Sequence, residues 1–273
     1  MRAIQKEVRT NHRASRAESE RIIKILQRLY DDEPGNRRRL YELRESPEYE
    51  LAYTEADPLV SIIIPTYTNV EALATRAIPS AIAQSYPNIE VIVVGDCAPP
   101  ETAKSLAEFR DPRIVYYNRE RRGPYPEAAY LLEFVKGGPP FNEALRRARG
   151  RWIAPFADDD SLRPLHVETL LRAAREGRHE LCYGKFQKVA EDGRTEVGGE
   201  WPPELGRIGG QATIYHSGLR FFEQELAGAL FRISGDKSLW RRMSNAGVRF
   251  GFVDEIVVDY SWDPRGATER SKL

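Results

Sequence analysis

Two short runs, Leu59-Val60-Ser61-Ile62-Ile63-Ile64 and Ile89-Glu90-Val91-Ile92-Val93-Val94, constrain the fold of this chain most. Both are rich in β-branched residues, and neither alternates polar with apolar as a strand with one wet face does. Strands apolar on both sides belong in a sheet covered on both faces, usually a parallel one flanked by helices. The first run ends at Pro65-Thr66-Tyr67 and the second at Gly95-Asp96, so each strand stops abruptly in turn-forming or polar residues.

The segments between and after these runs fit that architecture. Asn69 is placed to cap a helix running to about Ser85, and Pro79 should kink or split it. A helix is expected around Thr102–Phe109 and a third strand at Arg113-Ile114-Val115-Tyr116-Tyr117. Residues 118–140 hold four prolines and two adjacent glycines, and read as a long loop with a short helix, Ala128–Val135, inside it. Long loops in compact domains are often functional. A helix over Phe141–Arg149 leads to a short apolar strand, Arg151-Trp152-Ile153-Ala154-Pro155-Phe156. Pro164 suits the first turn of a helix reaching Glu176. Glu180–Val189 reads as a strand with a hairpin turn at Glu191-Asp192-Gly193-Arg194. Trp201–Gly210 is loop, and Gln211–His216 is a strand. Ser234 is placed to cap a helix over Gly235–Asn245 that Gly247 ends. Ile256–Tyr260 is a last strand. Strands alternating with helices at this spacing predict βαβ units and a mainly parallel, Rossmann-like sheet, an α/β fold.

The ends differ in character. Residues 1–57 are rich in Arg and Glu, and Ile22, Ile23, Ile25, Leu26, Leu29 and Tyr30 recur at helical spacing. An amphipathic helix over residues 14–30, stopped by Asp31-Asp32-Glu33-Pro34-Gly35, should be followed by a short helix near Arg37–Arg44. The two are expected to pack as a hairpin on the main domain. Their functional alternative is a docking arm, including homo-oligomerisation through residues 1–57. The division expected is therefore a helical extension over 1–57, an α/β domain over 58–262 and a polar tail over 263–273.

Lys plus Arg and Asp plus Glu are 41 each, which gives no electrostatic argument for a nucleic-acid partner. No run is long and apolar enough for a membrane span, and the charged N-terminus lacks the pattern of a secretory signal. Cys97 and Cys182 form neither a metal spacing nor a disulfide framework, which fits a cytoplasmic location. The terminal Ser271-Lys272-Leu273 matches a peroxisomal address, and is treated as chance.

The feature most in need of a reason is Asp158-Asp159-Asp160, three acids at the end of an apolar strand. They repel one another unless a cation or solvent offsets them. Hard oxygen ligands of this kind suit Mg2+ or Mn2+ bridging to a substrate's phosphates, whereas alone they also suit a solvated turn. Ligands of open α/β sheets sit beyond the carboxyl ends of the strands, the edge on which both Asp96 and the acid cluster should fall. Asp236, at the start of a helix, is in any case favoured there by the macrodipole.

Taken in order, these pieces resemble the family 2 glycosyltransferases, which have the GT-A fold. The resemblance covers roughly residues 58–260. It begins at Val60-Ser61-Ile62-Ile63-Ile64-Pro65-Thr66-Tyr67 and continues through Ser80–Tyr86, Glu90–Asp96 and Asp111-Pro112-Arg113-Ile114. It then runs through Asn142-Glu143-Ala144-Leu145 and Ala148–Ile153 to Asp158-Asp159-Asp160, which stands where the family keeps an Asp-x-Asp motif. Gly235–Arg242 is similar to the late helix that opens on the catalytic carboxylate. The resemblance implies a nucleotide-diphosphate sugar donor, an unidentified acceptor and a divalent ion, Mn2+ or Mg2+. It gives roles to single residues: Pro65, Thr66 and Tyr67 frame the nucleobase, Asp96 binds its edge, and Asp158 contacts the ribose. Asp159, with Asp160 or Asp158, holds the metal, and Asp236 is the general base of an inverting transfer. Two positions depart from the pattern. Gly95 stands where the family often has the first acid of a pair, and Ala157 where the first acid of Asp-x-Asp is usual. The rival enzyme reading, a nucleotidyltransferase, lacks its Gly-rich basic phosphate loop after the first strand. The rival from another class is a sugar-nucleotide-binding module without catalysis. Two further readings stay open: His216 either approaches such a site or is structural or exposed, and Arg119, Arg121 and Arg122 either meet the donor's phosphates or belong to a solvated loop. Acceptor contacts are expected in 186–235, where Trp201, Tyr215, Phe221 and Phe222 are either sugar-stacking or core.

Overall fold

The structure is a computed structural model. It describes the backbone of residues 2–204 and 206–262, and the side chains of residues 15–204 and 206–262. The polar tail and Ser271-Lys272-Leu273 lie outside the described residues.

The strands are β1 (Val60–Thr66), β2 (Ile89–Gly95), β3 (Ile114–Asn118), β4 (Trp152–Pro155), β5 (Ser161–Leu162), β6 (Leu181–Ala190), β7 (Thr195–Gly198), β8 (Thr213–His216) and β9 (Phe250–Trp262). They form one nine-stranded sheet in the order β3-β2-β1-β4-β8-β6-β9-β5, with β7 on β6. The half that carries the expected apolar runs is wholly parallel: β1 pairs with β2 and β4, and β2 with β3. The other half is mixed, with β8 antiparallel to both β4 and β6, and β6 parallel to β9.

The unbroken apolar runs are explained by what covers them. Every residue of β2 is buried. Ile62 and Ile64 of β1 face one core, shared with Leu73, Ile78, Val167 and Leu170 from the helices on that side. Ile63 faces a second core, shared with Phe141, Leu145, Leu239 and Met243 from the opposite side. Alternate residues of one strand thus serve two apolar layers, which removes the polar-apolar alternation of a strand with one wet face.

The helix expected after Asn69 is a rod in three pieces: α-helical Val70–Ala72, a π turn over Leu73–Ala77, and α-helical Ile78–Ile82 with Pro79 in its first turn. Proline supplies no N–H and crowds the preceding turn, and the wider π turn accommodates it. The last strand is longer than its apolar part, because Asp254 and Glu255 interrupt a pattern that continues on both sides. β5 is two residues long and leaves no periodic signal. No helix among the described residues is long and apolar enough to cross a membrane.

The N-terminal segment departs from expectation in two ways. Its first helix spans Arg2–Tyr30, and its apolar side is not packed on the sheet domain as the hairpin reading required: Ile25 and Leu26 are 51% exposed and Leu29 is 73% exposed. The elements that do pack are Glu33–Arg44 and a further helix, Pro47–Thr54, that the sequence reading passed over. Tyr49, Ala52 and Tyr53 of the latter are buried, and Tyr49 stacks on His216.

One carboxylate fastens these two helices. Glu180, at the head of β6, is fully buried. It accepts from Arg44 Nε at 2.7 Å and Arg44 Nη2 at 2.8 Å, from the Tyr49 hydroxyl at 2.8 Å and from the Arg249 backbone N–H at 2.8 Å. Burial pushes its carboxyl up, but the hydrogen bonds from Arg44, the Arg249 backbone and Tyr49 outweigh burial and hold it below its ordinary value. A carboxylate depressed in the folded state stabilises the fold above the ordinary glutamate range, and that contribution is lost as pH falls through the depressed value. Replacing Glu180 by Ala should cost about 3 kcal/mol in urea unfolding at pH 7, the low end for a broken buried pair because Arg44 is partly exposed. The difference from wild type should shrink on acidification below about pH 4. A loss under about 1 kcal/mol at pH 7 contradicts this role.

Candidate active site

β1, β2 and β4 run parallel; β1 and β2 end level at Thr66 and Gly95, and β4 ends at Pro155, opposite Ile63. Beyond that edge lies a cleft of about 740 Å³. Its walls include Pro65, Thr66, Tyr67, Asp96, Asp158, Asp159 and Asp236. Seven of the eight residues to which the family resemblance gives roles therefore share one cavity. Asp160 is the exception.

The acid cluster is delivered by β4. The Phe156 N–H donates to the Ile63 carbonyl at 2.9 Å, and the chain then leaves the sheet, so the three acids fall at the cleft. Asp158 accepts from the Thr66 hydroxyl at 2.7 Å and from Asn69 Nδ2 at 3.0 Å. Burial raises its carboxyl pKa, these two hydrogen bonds oppose the rise, and the charge of Asp159 adds to it. Asn69 occupies the cap position of its helix without a side-chain cap bond, and its Nδ2 is turned to Asp158. Asp160 is 6% exposed and accepts from the Ser261 backbone N–H at 2.8 Å. Burial, and then the charges of Asp159 and Asp158, push it up to about 8. Asp159 lines the cleft and makes no hydrogen bond or ion pair among the described residues. The shifted Ala-Asp-Asp-Asp motif thus leaves Asp158, not Asp160, beside Asp159 in the cavity.

Asp96 is 2% exposed at the end of β2. Its backbone N–H donates to the Thr66 carbonyl at 2.9 Å, tying the two strand ends together. Its carboxylate is held by the long loop: Arg119 Nη1 donates at 2.5 Å, the Tyr125 hydroxyl at 2.6 Å and the Gly123 N–H at 3.2 Å, with Arg122 Nε at 3.7 Å. The Arg122 guanidinium also lies 4.0 Å from the centre of the Tyr67 ring. Arg119 and Arg122, read from the sequence as either phosphate contacts or a solvated loop, lie instead against Asp96. The sequence gave no sign of Tyr125, whose role depends on how the loop folds back over Asp96.

Gly95 departs from the family pattern for a steric reason. A Cβ there would meet Asn118 Oδ1 at 2.5 Å, the Ala98 Cβ at 2.8 Å and the Tyr116 hydroxyl at 2.8 Å. The space is taken by Asn118, whose amide exchanges two hydrogen bonds with the Ala98 backbone, at 2.8 and 2.9 Å.

Asp236 stands in the first turn of the helix Gly235–Ala246, with one oxygen accepting from the Lys237 N–H at 2.8 Å. Ser234 sits at the cap position but its side chain makes no cap bond. A Cβ on Gly210 would lie 3.2 Å from Asp236 Oδ2, so the turn Gly210–Ala212 runs close against that carboxylate. Asn142 holds the segment before this helix, donating to the Gln224 carbonyl and accepting from the Gln224 N–H, both at 2.8 Å. The sequence marked Asn142 as part of a motif but not as this clamp.

Other candidates fall away from the cleft. His216 is 2% exposed, with Nδ1 accepting from the Gly218 N–H at 2.9 Å and Nε2 lying 3.1 Å from the Tyr49 carbonyl. Tyr215 and Phe222 are core residues, and Trp201 is exposed. None of these, nor Phe221, lines the cleft.

A mixed α/β sheet with an acidic cleft at its carboxyl edge, between β1, β2 and the late helix, is the GT-A architecture. The family model described as glycosyl transferase family 2 matches residues 61–245, and the chain belongs to that family. Among curated proteins it is 31% identical over 139 residues to the succinoglycan biosynthesis protein ExoO of Rhizobium meliloti, covering 50% of this chain and 36% of that protein. It is 30% identical over 142 residues to the putative teichuronic acid biosynthesis glycosyltransferase TuaG of Bacillus subtilis, covering 51% of each. The chain thus matches about half the length of these relatives, or less. Among solved structures, S. aureus TarS 1-349 in complex with UDP-GlcNAc superposes with a TM-score of 0.59 at 18% identity, over 75% of this chain and 58% of that one. The mannosyltransferase PcManGT of Pyrobaculum calidifontis, in complex with GDP-Man and Mn2+, gives 0.55 at 15% identity, over 90% and 69%.

Replacing Gly95 by Ala should displace Asn118 or Ala98 and cost about 1–3 kcal/mol, the usual scale of overpacking. Urea unfolding measures it. A cost under about 0.5 kcal/mol contradicts the steric account of this position.

Proposed function

We propose that the protein transfers a sugar from a nucleotide-diphosphate sugar to an acceptor hydroxyl, with inversion at the anomeric carbon. The observation that carries this reading is the convergence of Asp96, the Asp158–Asp159 pair and Asp236 on one cleft, from three distant parts of the chain. Family membership and the donor-bound structural neighbours support it.

In this reading Pro65, Thr66 and Tyr67 frame the nucleobase. The base takes the face of Tyr67 that Arg122 now covers, and its N–H groups take the place of Arg119 and Tyr125 on Asp96. Asp158, oriented by Thr66 and Asn69, receives the ribose. The residues present fit a divalent ion: Asp159 is a carboxylate in the cleft with no hydrogen-bond or ion-pair partner among the described residues, beside a second carboxylate. Among the described residues no cluster of three His, Cys, Asp or Glu could hold a metal alone. That suits Mg2+ or Mn2+, which are commonly bound by one or two carboxylates together with substrate phosphates and water. Asp159 and Asp158 would hold it, and when bound it supplies Lewis-acid stabilisation of the departing diphosphate. Asp160, turned to the Ser261 backbone, serves the shape of the loop.

Asp236 takes the acceptor's proton. The acceptor oxygen then forms its bond to the anomeric carbon while the bond from that carbon to the diphosphate oxygen breaks, and the electron pair leaves with the nucleoside diphosphate. Alignment of acceptor, base and leaving group supplies much of the acceleration. The turn at Gly210 and the Asn142–Gln224 clamp fix Asp236 for this step.

Two substitutions separate binding from chemistry. Asp159→Ala should abolish the Mn2+ dependence of nucleotide-sugar binding in calorimetric titration, and unchanged Mn2+-dependent binding contradicts the metal assignment. Asp236→Asn should leave nucleotide affinity within about twofold while kcat falls about 10²-fold or more, the scale of general-base loss. Turnover near that of wild type assigns the base elsewhere.

A further inference from the structure

The N-terminal helix carries an apolar side that the fold does not use. Ile22, Ile25, Leu26 and Leu29 lie on one side of Arg2–Tyr30 and are between 49% and 73% exposed. The basic residues of the same stretch, Arg16, Arg21, Lys24 and Arg28, stand on the other side by helical spacing. Residues 1–30 hold eight of the 41 Lys and Arg but three of the 41 Asp and Glu, so the segment is +5 and the rest of the chain is −5. A helix apolar on one side and basic on the other is the pattern of a segment that lies in a bilayer interface, its long basic side chains reaching the headgroups.

The position of the helix agrees with such a use. The Tyr30 ring lies 5.9 Å from that of Phe231, and the neighbouring Leu230 is 75% exposed, which extends the apolar surface beyond the helix. The turn Leu226–Phe231 touches the helix Ala129–Val135, and Leu132 of that helix lines the cleft. The helix is thus joined, through that turn and the helix Ala129–Val135, to the rim of the active site.

A second copy of the chain fits the same surface less well. Further back, by helical spacing, the same side carries Glu18, Ser15 and Asn11, which confines apolar contact of either kind to the last two turns and leaves a coiled-coil seam too short to hold a dimer. Two such helices would also bring together two segments of +5.

We propose that the helix Arg2–Tyr30 binds the interface of an anionic lipid bilayer through Ile22, Ile25, Leu26 and Leu29, and holds the cleft's rim beside the membrane. Association should weaken with salt, because the basic side contributes through screened charge.

The test uses the full chain with sucrose-loaded vesicles of phosphatidylcholine alone or of phosphatidylcholine with phosphatidylglycerol, sedimented at low and high salt. The protein should sediment with the anionic vesicles, at least about tenfold more weakly with neutral ones, and less in high salt. The double variant Leu26→Glu, Leu29→Glu should lose at least about tenfold in anionic-vesicle binding while its circular dichroism and its Mn2+-dependent nucleotide binding stay as in wild type. No binding to anionic vesicles overturns the proposal. So does a wild-type mass of twice the monomer by light scattering that the double variant reduces to the monomer, which would assign the surface to a second copy.

Discussion

Burial of β1 and β2 on both faces is the constraint on which the rest of the structure depends. Ile62 and Ile64 feed one apolar core and Ile63 the other, and the polar groups the two strands bury before their carboxyl ends, Ser61 and Glu90, bond to each other at 2.6 Å. Polar chemistry is pushed to the strand ends, and in a parallel arrangement the ends of β1, β2 and β4 lie on one edge. The Asp96 N–H bonded to the Thr66 carbonyl, and the Phe156 N–H bonded to the Ile63 carbonyl, carry the strand register into the loops. Asp96 and the acid cluster, far apart in sequence, are thereby brought to one cavity.

The cleft is then differentiated by how each carboxylate is satisfied. Asp158 has two neutral donors, Thr66 and Asn69. Asp96 has Arg119 and Tyr125, drawn from the loop that crosses the site. Asp160 has a backbone N–H and little solvent. Asp159 is left with a cavity in front of it and acidic neighbours on both sides, an arrangement that favours a cation supplied from outside the chain. The same loop that satisfies Asp96 sets Arg122 against Tyr67.

Much of this was legible in the sequence, for physical reasons. Runs such as Ile62-Ile63-Ile64 have few alternatives to a doubly covered parallel strand, and Pro79 could not pass through a regular helix. Acids placed directly after such strands had to meet at the carboxyl edge. What could not be read depended on tertiary contact. Asp160 differs from Asp159 only in where a one-residue step along the turn points it, towards Ser261. Tyr125 reaches Asp96 because the loop folds back, and Asn142 holds Gln224 across 82 residues of sequence. The helix Pro47–Thr54 is too short for a periodic signal, and its place is set by Glu180 and His216. The apolar stripe ending at Leu29 was visible as a pattern, but a pattern alone does not say what covers it.

The central claim is that the cleft binds a nucleoside diphosphate through a divalent ion at Asp159. Urea unfolding of the wild-type protein with a panel of nucleoside diphosphates, each with Mn2+ and with a chelator, tests it directly. A ligand at about 100 times its dissociation constant adds roughly 2.7 kcal/mol to the stability of the folded state. The account predicts that increment for at least one base, in Mn2+ and not in chelator. No stabilisation by any nucleoside diphosphate under either condition, or equal stabilisation in both, contradicts it.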